Sequence, residues 1–147
     1  MKDPLDTAYL ETLLGYNARR AALTIIARFM ERMAPFDLRP VDFSVLSLIR
    51  HNPGVTSRQL CNELNILPPN MVVFLKTFEK RQLIQRKPHP TDGRATGLSL
   101  TAEGETLMQA AEACAMQSDL SVVERLSAAE QKTLTRLLKK IYQTDSV

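Results

Sequence analysis

The chain has 147 residues, 19 Lys and Arg against 16 Asp and Glu, a formal charge of +3, and 44% hydrophobic residues. That length suits one domain with a real core, and the mild basic balance permits an anionic partner such as nucleic acid without requiring one. Two cysteines exclude a disulfide framework, there is no apolar run of membrane-spanning length, and Met1-Lys2-Asp3-Pro4 lacks the apolar stretch of a signal peptide. A cytoplasmic protein in a thiol-reducing compartment is expected.

The first predicted element is a helix from Leu5 to about Met33, free of Pro and crossed only by Gly15. Leu10, Leu14, Asn17, Ala21 and Ile25 make one stripe, and Leu13, Tyr16, Leu23, Ala27 and Met30 a second. A helix apolar on two faces needs cover on two sides, and in so short a chain the second cover is expected to be another subunit. Pro35 ends this helix. Pro40 opens the next, with Val41, Val45, Leu48 and Ile49 at helical spacing, and Asn52-Pro53-Gly54 stops it.

Thr56 or Ser57 then caps a short helix with the stripe Ser57, Leu60, Cys61 and Leu64. After Asn65-Ile66-Leu67 another helix opens on Pro68-Pro69 and carries Met71, Phe74, Leu75 and Phe78 on one side. Two helices joined by so tight a turn read as helix-turn-helix. The run Leu83–Lys87 is strand-like, Pro88–Gly93 holds the turn residues of a hairpin tip, and Ala95 to Leu100 alternates as a second strand. Thr101 caps a helix through Leu107, Ala111 and Cys114 to about Ser118. Ser127 and Glu130 form a capping box for a last helix striped by Leu134, Leu137, Leu138 and Ile141.

At 100° per residue, the helix from Pro68 to Arg81 turns Pro69, Val73, Lys76 and Lys80 away from its apolar side, flanked by Asn70, Val72 and Thr77. Asn can pair with adenine, Lys with guanine or phosphate, and an exposed Val can meet a thymine methyl group. The hairpin adds Arg86, Lys87, His89 and Arg94. From Arg58 to Arg94 there are seven Arg and Lys against three acids, Glu63, Glu79 and Asp92, so this segment is more positive than the whole chain. A helix suited to a major groove beside a basic β-tip suited to the adjacent minor groove is a coherent footprint for double-stranded DNA.

Asp92-Gly93-Arg94 followed by Leu98-Ser99-Leu100-Thr101-Ala102-Glu103-Gly104 resembles the wing signature of the MarR family of bacterial regulators, an Asp-x-Arg tip and then a Leu-Thr-x-x-Gly helix entry. Leu60 to Leu64 and Phe78-Glu79-Lys80-Arg81-Gln82-Leu83-Ile84 fit that family's helix-turn-helix. The resemblance implies a two-fold dimer on a pseudo-palindromic operator. It also implies that Asp92 braces the wing while Arg94 reaches the minor groove, and that the helices at both chain ends form the dimer. Two positions depart from the family. Leu67 stands where a Ser or Thr cap is usual, and Val73 where an Arg is common.

The expected fold is therefore mainly α with a small β-hairpin wing. Residues 38–100 form the winged helix-turn-helix, and residues 5–35 and 101–147 the dimerisation helices. The segment Leu14–Ala21 resembles that of family members responding to aromatic acids or their coenzyme A thioesters. Arg19 and Arg20 would hold an acid group, and Tyr9 and Tyr16 would stack on a ring, between the first helix and the winged part.

The expected function is a transcriptional repressor released by such a ligand. One alternative is a winged helix used for protein contact, for which the weakly charged face with Val72, Val73 and two prolines speaks. Another is a cysteine-based oxidant sensor. Cys61 and Cys114 both lie on apolar stripes, however, and are expected to be buried and inert. His51 is read as a helix C-terminal histidine favoured by the dipole. The histidines and cysteines share no metal-ligand spacing, and no phosphate loop or nucleophile elbow is present, so neither a cofactor nor an enzyme is expected.

Overall fold

The computed structural model describes residues 3–143, and it breaks the first helical segment in two. Helix α1 covers Ala8–Glu11 and α2 covers Leu14–Met33. The expected single helix from Leu5 is thus corrected, and the break has a polar cause. Asn17, read from the sequence as part of an apolar stripe, donates from Nδ2 to the carbonyls of Glu11 at 2.8 Å and Leu13 at 2.9 Å. Thr12 Oγ1 donates to Tyr9 O at 2.7 Å. The Asn17 amide satisfies Glu11 O, which the interruption leaves without a backbone donor, whereas Leu13 O and Tyr9 O also accept the N–H of Asn17 at 3.2 Å and of Thr12 at 3.1 Å.

The described chain divides into two compact units, Phe29–Met116 and the segments on either side of it. The central unit starts with the end of α2 and a 3₁₀ turn at Ala34–Phe36. It then holds α3 (Pro40–His51), β1 (Val55–Thr56), α4 (Ser57–Leu64), α5 (Pro68–Lys80), β2 (Ile84–Pro88), β3 (Thr96–Leu100) and most of α6 (Ala102–Val122). Its core is Met33, Val45, Leu46, Ile49, Leu60, Met71, Leu75, Phe78, Leu98, Met108 and Ala111. Every helix of the unit thus contributes the apolar stripe that its spacing sets. Phe29 and Phe43 add an edge-to-face pair 5.2 Å apart.

The sheet has three antiparallel strands in the order β1-β3-β2, one more than the hairpin the sequence suggested. Ile84 pairs with Leu100 and Pro88 with Thr96, while Val55 pairs with Leu98. The extra strand is only two residues long and follows Gly54, whose φ of +91° suits glycine and whose N–H donates to Leu98 O at 2.8 Å. A strand that short carries no periodicity to read.

The other unit holds α1, α2 up to Arg28, the end of α6 from Gln117, and α7 (Ala128–Tyr142). Ser127 Oγ accepts from Glu130 N at 3.2 Å, and the Glu130 carboxylate accepts from Ser127 N at 2.7 Å. No apolar side chain is buried among this unit's described residues in the single chain. Leu23, Leu134, Leu137, Leu138 and Ile141 are all exposed.

Candidate nucleic-acid interface

Helix α5 begins without a side-chain cap, because Leu67 occupies the capping position. The usual penalty for a missing cap comes from orphaned N–H groups in the first turn. Pro68 and Pro69 have no N–H to orphan, and Asn70 N, the next donor, bonds to Leu67 O at 3.0 Å. The two prolines therefore do chemically what a Ser or Thr cap does elsewhere.

Burial divides α5 cleanly. Met71, Leu75 and Phe78 are buried and Phe74 is half-buried. Pro69, Asn70, Val72, Val73, Lys76, Thr77 and Lys80 are exposed. Thr77 Oγ1 donates to Val73 O at 3.0 Å, so its hydroxyl proton is committed within the helix.

The basic residues fall into two groups. Arg81 is structural: its guanidinium donates to Asp37 O and Phe36 O, both at 2.9 Å, and ties the end of α5 to the turn after α2. Arg86 is ion-paired with Glu79, one strand residue to one helix residue. His89 Nδ1 accepts from Thr91 N at 3.3 Å and Asp92 N at 3.2 Å, shaping the hairpin tip from inside. Asp92 Oδ1 in turn accepts from Arg94 N at 3.0 Å. The wing tip is thus folded around the His89 ring and the Asp92 carboxylate, and the Arg94 side chain is exposed at its apex. Arg58, Lys76, Lys80, Lys87 and Arg94 have no carboxylate partner among the described residues. Glu79 and Asp92, two of the segment's three acids, have partners of their own. The result is an exposed helix face and an exposed loop whose free charge is positive.

Behind this surface lies a polar network that sequence reasoning missed. Glu112, on α6, accepts from Ser47 Oγ at 2.7 Å, from His51 Nε2 at 3.0 Å and from Arg50. Arg50 also reaches Glu105 at 2.8 Å. His51 does end α3, but its partner is Glu112 as well as the helix dipole. Burial pushes the Glu112 carboxyl up, but the hydrogen bonds from Ser47, Arg50 and His51 outweigh it, so the group ionises below its ordinary range. The missed signal was the run Ser47, Arg50, His51 at i, i+3 and i+4, a polar stripe on an otherwise apolar helix. At the other end of α3, Asp42 is buried and accepts from Arg39 N and Arg39 Nε, both at 3.0 Å.

The proposed effector residues do not share one helix. Tyr9 lies on α1 and is exposed, while Tyr16, half-buried, and exposed Arg19 and Arg20 lie on α2 beyond the break. Cys61 is buried, but Cys114 is only half-buried, a correction, with Sγ 3.5 Å from Arg32 O. Its position follows from the turn of α6, which places it at the edge of the stripe that Met108 and Ala111 centre.

A tight helix pair, a recognition helix with an outward basic face and a three-stranded sheet ending in a basic tip define a winged helix-turn-helix protein. The MarR family model matches residues 38–96. A putative transcriptional regulatory protein for the hcr operon of Thauera aromatica is 30% identical over 134 residues, covering 90% of this chain and 81% of that protein. The HTH-type transcriptional repressor Rv2887 of Mycobacterium tuberculosis is 28% identical over 128 residues, covering 87% and 92%. The transcriptional repressor CouR bound to a 23-mer DNA duplex matches with a TM-score of 0.89 at 33% identity, over 96% of this chain and 100% of that one. Rv2887 in complex with salicylic acid matches with a TM-score of 0.69 at 28% identity, over 88% and 96%. The chain belongs to the MarR family. It is a DNA-binding transcriptional regulator, not an enzyme.

Proposed function

We propose that the protein is a dimeric repressor that lays α5 in the major groove of a pseudo-palindromic operator and Arg94 of the wing in the adjacent minor groove. The observation that carries this reading is the division of the basic residues. Arg81 and Arg86 are engaged with groups of the fold, whereas Arg58 on α4, Lys76 and Lys80 on α5, Lys87 on β2 and Arg94 in the wing loop have no carboxylate partner among the described residues. In support, the related repressor CouR has been solved bound to a 23-mer DNA duplex. Arg94→Ala is expected to weaken operator binding by about 2 kcal/mol, the scale of a specific groove contact, with the melting temperature unchanged. Lys76→Ala, if it removes a phosphate contact, should weaken binding to all sequences alike and lower the salt slope by about one. Fluorescence anisotropy over a salt series reads both, and wild-type affinity in both variants would refute the interface.

In support of the dimer, the unit that holds α1 and α7 buries no apolar side chain among its described residues. Such a unit cannot offset its conformational entropy without a partner surface. Leu137→Glu combined with Ile141→Glu places two charges on the α7 stripe and is expected to abolish the dimer in sedimentation. A stable dimer from that variant would refute the role of α7.

The effector is a small aromatic acid, free or as a coenzyme A thioester, held with the help of Arg19, Arg20 and Tyr16. In support, a related repressor has been solved with salicylic acid, and two cations and one ring lie within little more than one turn of α2. To release DNA, the ligand must bind one conformation of the dimer better than the other. Calorimetry with benzoates, hydroxycinnamates and their thioesters, on wild type and Arg20→Ala, tests the class and the residue separately.

A further inference from the structure

The exposed face of α5 is apolar at its centre. Val73 is 61% exposed, with Val72 beside it at 44%. Pro69 lies one turn before Val73, and Lys76, Thr77 and Lys80 lie one and two turns after it on the same side. A β-branched residue on a solvated helix face gains nothing from helix propensity and leaves apolar area in water. Two lysines without a carboxylate partner follow it on the same side, so the face it occupies is set to approach a polyanion. Between the phosphates of B-form DNA, the only apolar group offered in the major groove is the thymine C5 methyl.

One neighbouring group favours the same base pair, and a second allows it. The Asn70 amide has no hydrogen-bond partner among the described residues and can bond adenine N6 and N7 together. Thr77, its proton given to Val73 O, presents only lone pairs outward and needs a base-edge donor, which adenine N6 and cytosine N4 both supply. Pro68 and Pro69 remove the first two N–H groups through which a helix start would grip phosphate, so less of the docking is carried by the backbone. The exposed face of α5 carries no Arg, and its Lys76 and Lys80 can take either phosphate or guanine.

We propose that α5 reads thymine methyl groups through Val73, with Val72 at its flank, and that each operator half-site is A·T-rich opposite the middle of this helix. The inference rests on the DNA-binding reading above and adds the chemistry by which the sequence is chosen.

The test uses the full chain and a duplex selected by it from random-sequence DNA, compared with the same duplex carrying deoxyuridine in place of thymidine. The two differ only by methyl groups. Wild type is expected to bind the deoxyuridine duplex about fourfold more weakly for each contacted methyl lost, the scale of one buried apolar carbon. Val73→Ala, at an exposed position where the fold is not at stake, is expected to bind the thymidine duplex more weakly and to discriminate less between the two. Wild type that prefers the selected duplex to random DNA, yet binds both forms of it equally, overturns this inference and leaves the repressor reading intact. Undiminished discrimination by Val73→Ala overturns the role of Val73, because the methyl effect would then lie at another side chain or in the DNA itself. A chain that prefers no duplex over random DNA overturns both readings.

Discussion

Gly104→Ala is expected to destabilise the protein by about 3 kcal/mol, visible as a large drop in melting temperature. Gly104 sits in the first turn of α6, where the helix starts against the end of the segment that follows α5. A Cβ placed there would lie 2.0 Å from Leu83 O and 3.0 Å from Leu83 C, both backbone atoms that no rotamer change can move aside. Moving the helix away would stretch the bonds that join it to that segment. Thr101 N donates to Leu83 O at 3.0 Å, Thr101 Oγ1 donates to Gln82 O at 2.6 Å and accepts from Gly104 N at 3.0 Å. Against this stands a helix-propensity gain of at most about 1 kcal/mol for Ala over Gly, so the clash decides the sign. Gly15→Ala is the internal control. Gly15 is also helical, but nothing lies within 4 Å of its Cβ position, and no loss of stability is expected. Equal behaviour of the two variants in thermal unfolding would show that the contact is not limiting. The same geometry explains the Leu-Thr-x-x-Gly pattern: Thr closes the helix start onto Gln82, and only Gly leaves room for the Leu83 carbonyl.

Glu112→Ala is expected to lower stability by about 2–3 kcal/mol at neutral pH, the scale for removing charge-assisted hydrogen bonds at a partly buried site. The carboxylate is only 20% exposed and serves Ser47, Arg50 and His51 at once. Arg50 keeps Glu105, which limits the loss. The folded protein holds Glu112 ionised below its ordinary range, so its contribution is fully present above the range of a free carboxylate and is lost as pH falls through the lowered value. The gap in melting temperature between wild type and variant should therefore close under acid. A gap that persists unchanged below the carboxylate range would show that the loss comes from packing and not from charge. Because Glu112 bridges α3 and α6, the variant should also weaken operator binding without touching DNA.

Much of the fold was legible because it rests on local chemistry. Helical spacing at Val45, Ile49, Met71, Leu75 and Phe78 reports which face is buried whatever it is buried against. Prolines 40, 68 and 69, the capping box at Ser127 and Glu130, and the turn Pro88–Gly93 mark the ends of elements through bonds made within a few residues. The outward side of α5 followed from the same angle arithmetic, since a helix with one apolar face has its other face by subtraction. The sequence by itself therefore determined the helices from α3 onward, the hairpin and the side chains that α5 presents to solvent.

Only the tertiary structure decided how the basic residues are used. Arg81, Arg86 and Arg94 are alike in sequence, but their roles depend on carbonyls and carboxylates up to 45 residues distant in the chain. The break before α2 depends on one Asn amide reaching back to Glu11, and β1 exists only because β3 lies beside it. The network on Glu112 joins residues more than 60 positions apart. Hydrogen bonds act over about 3 Å of space and carry no trace of sequence separation. Periodicity reports burial, whereas the identity of each polar partner emerges only when the chain is closed on itself.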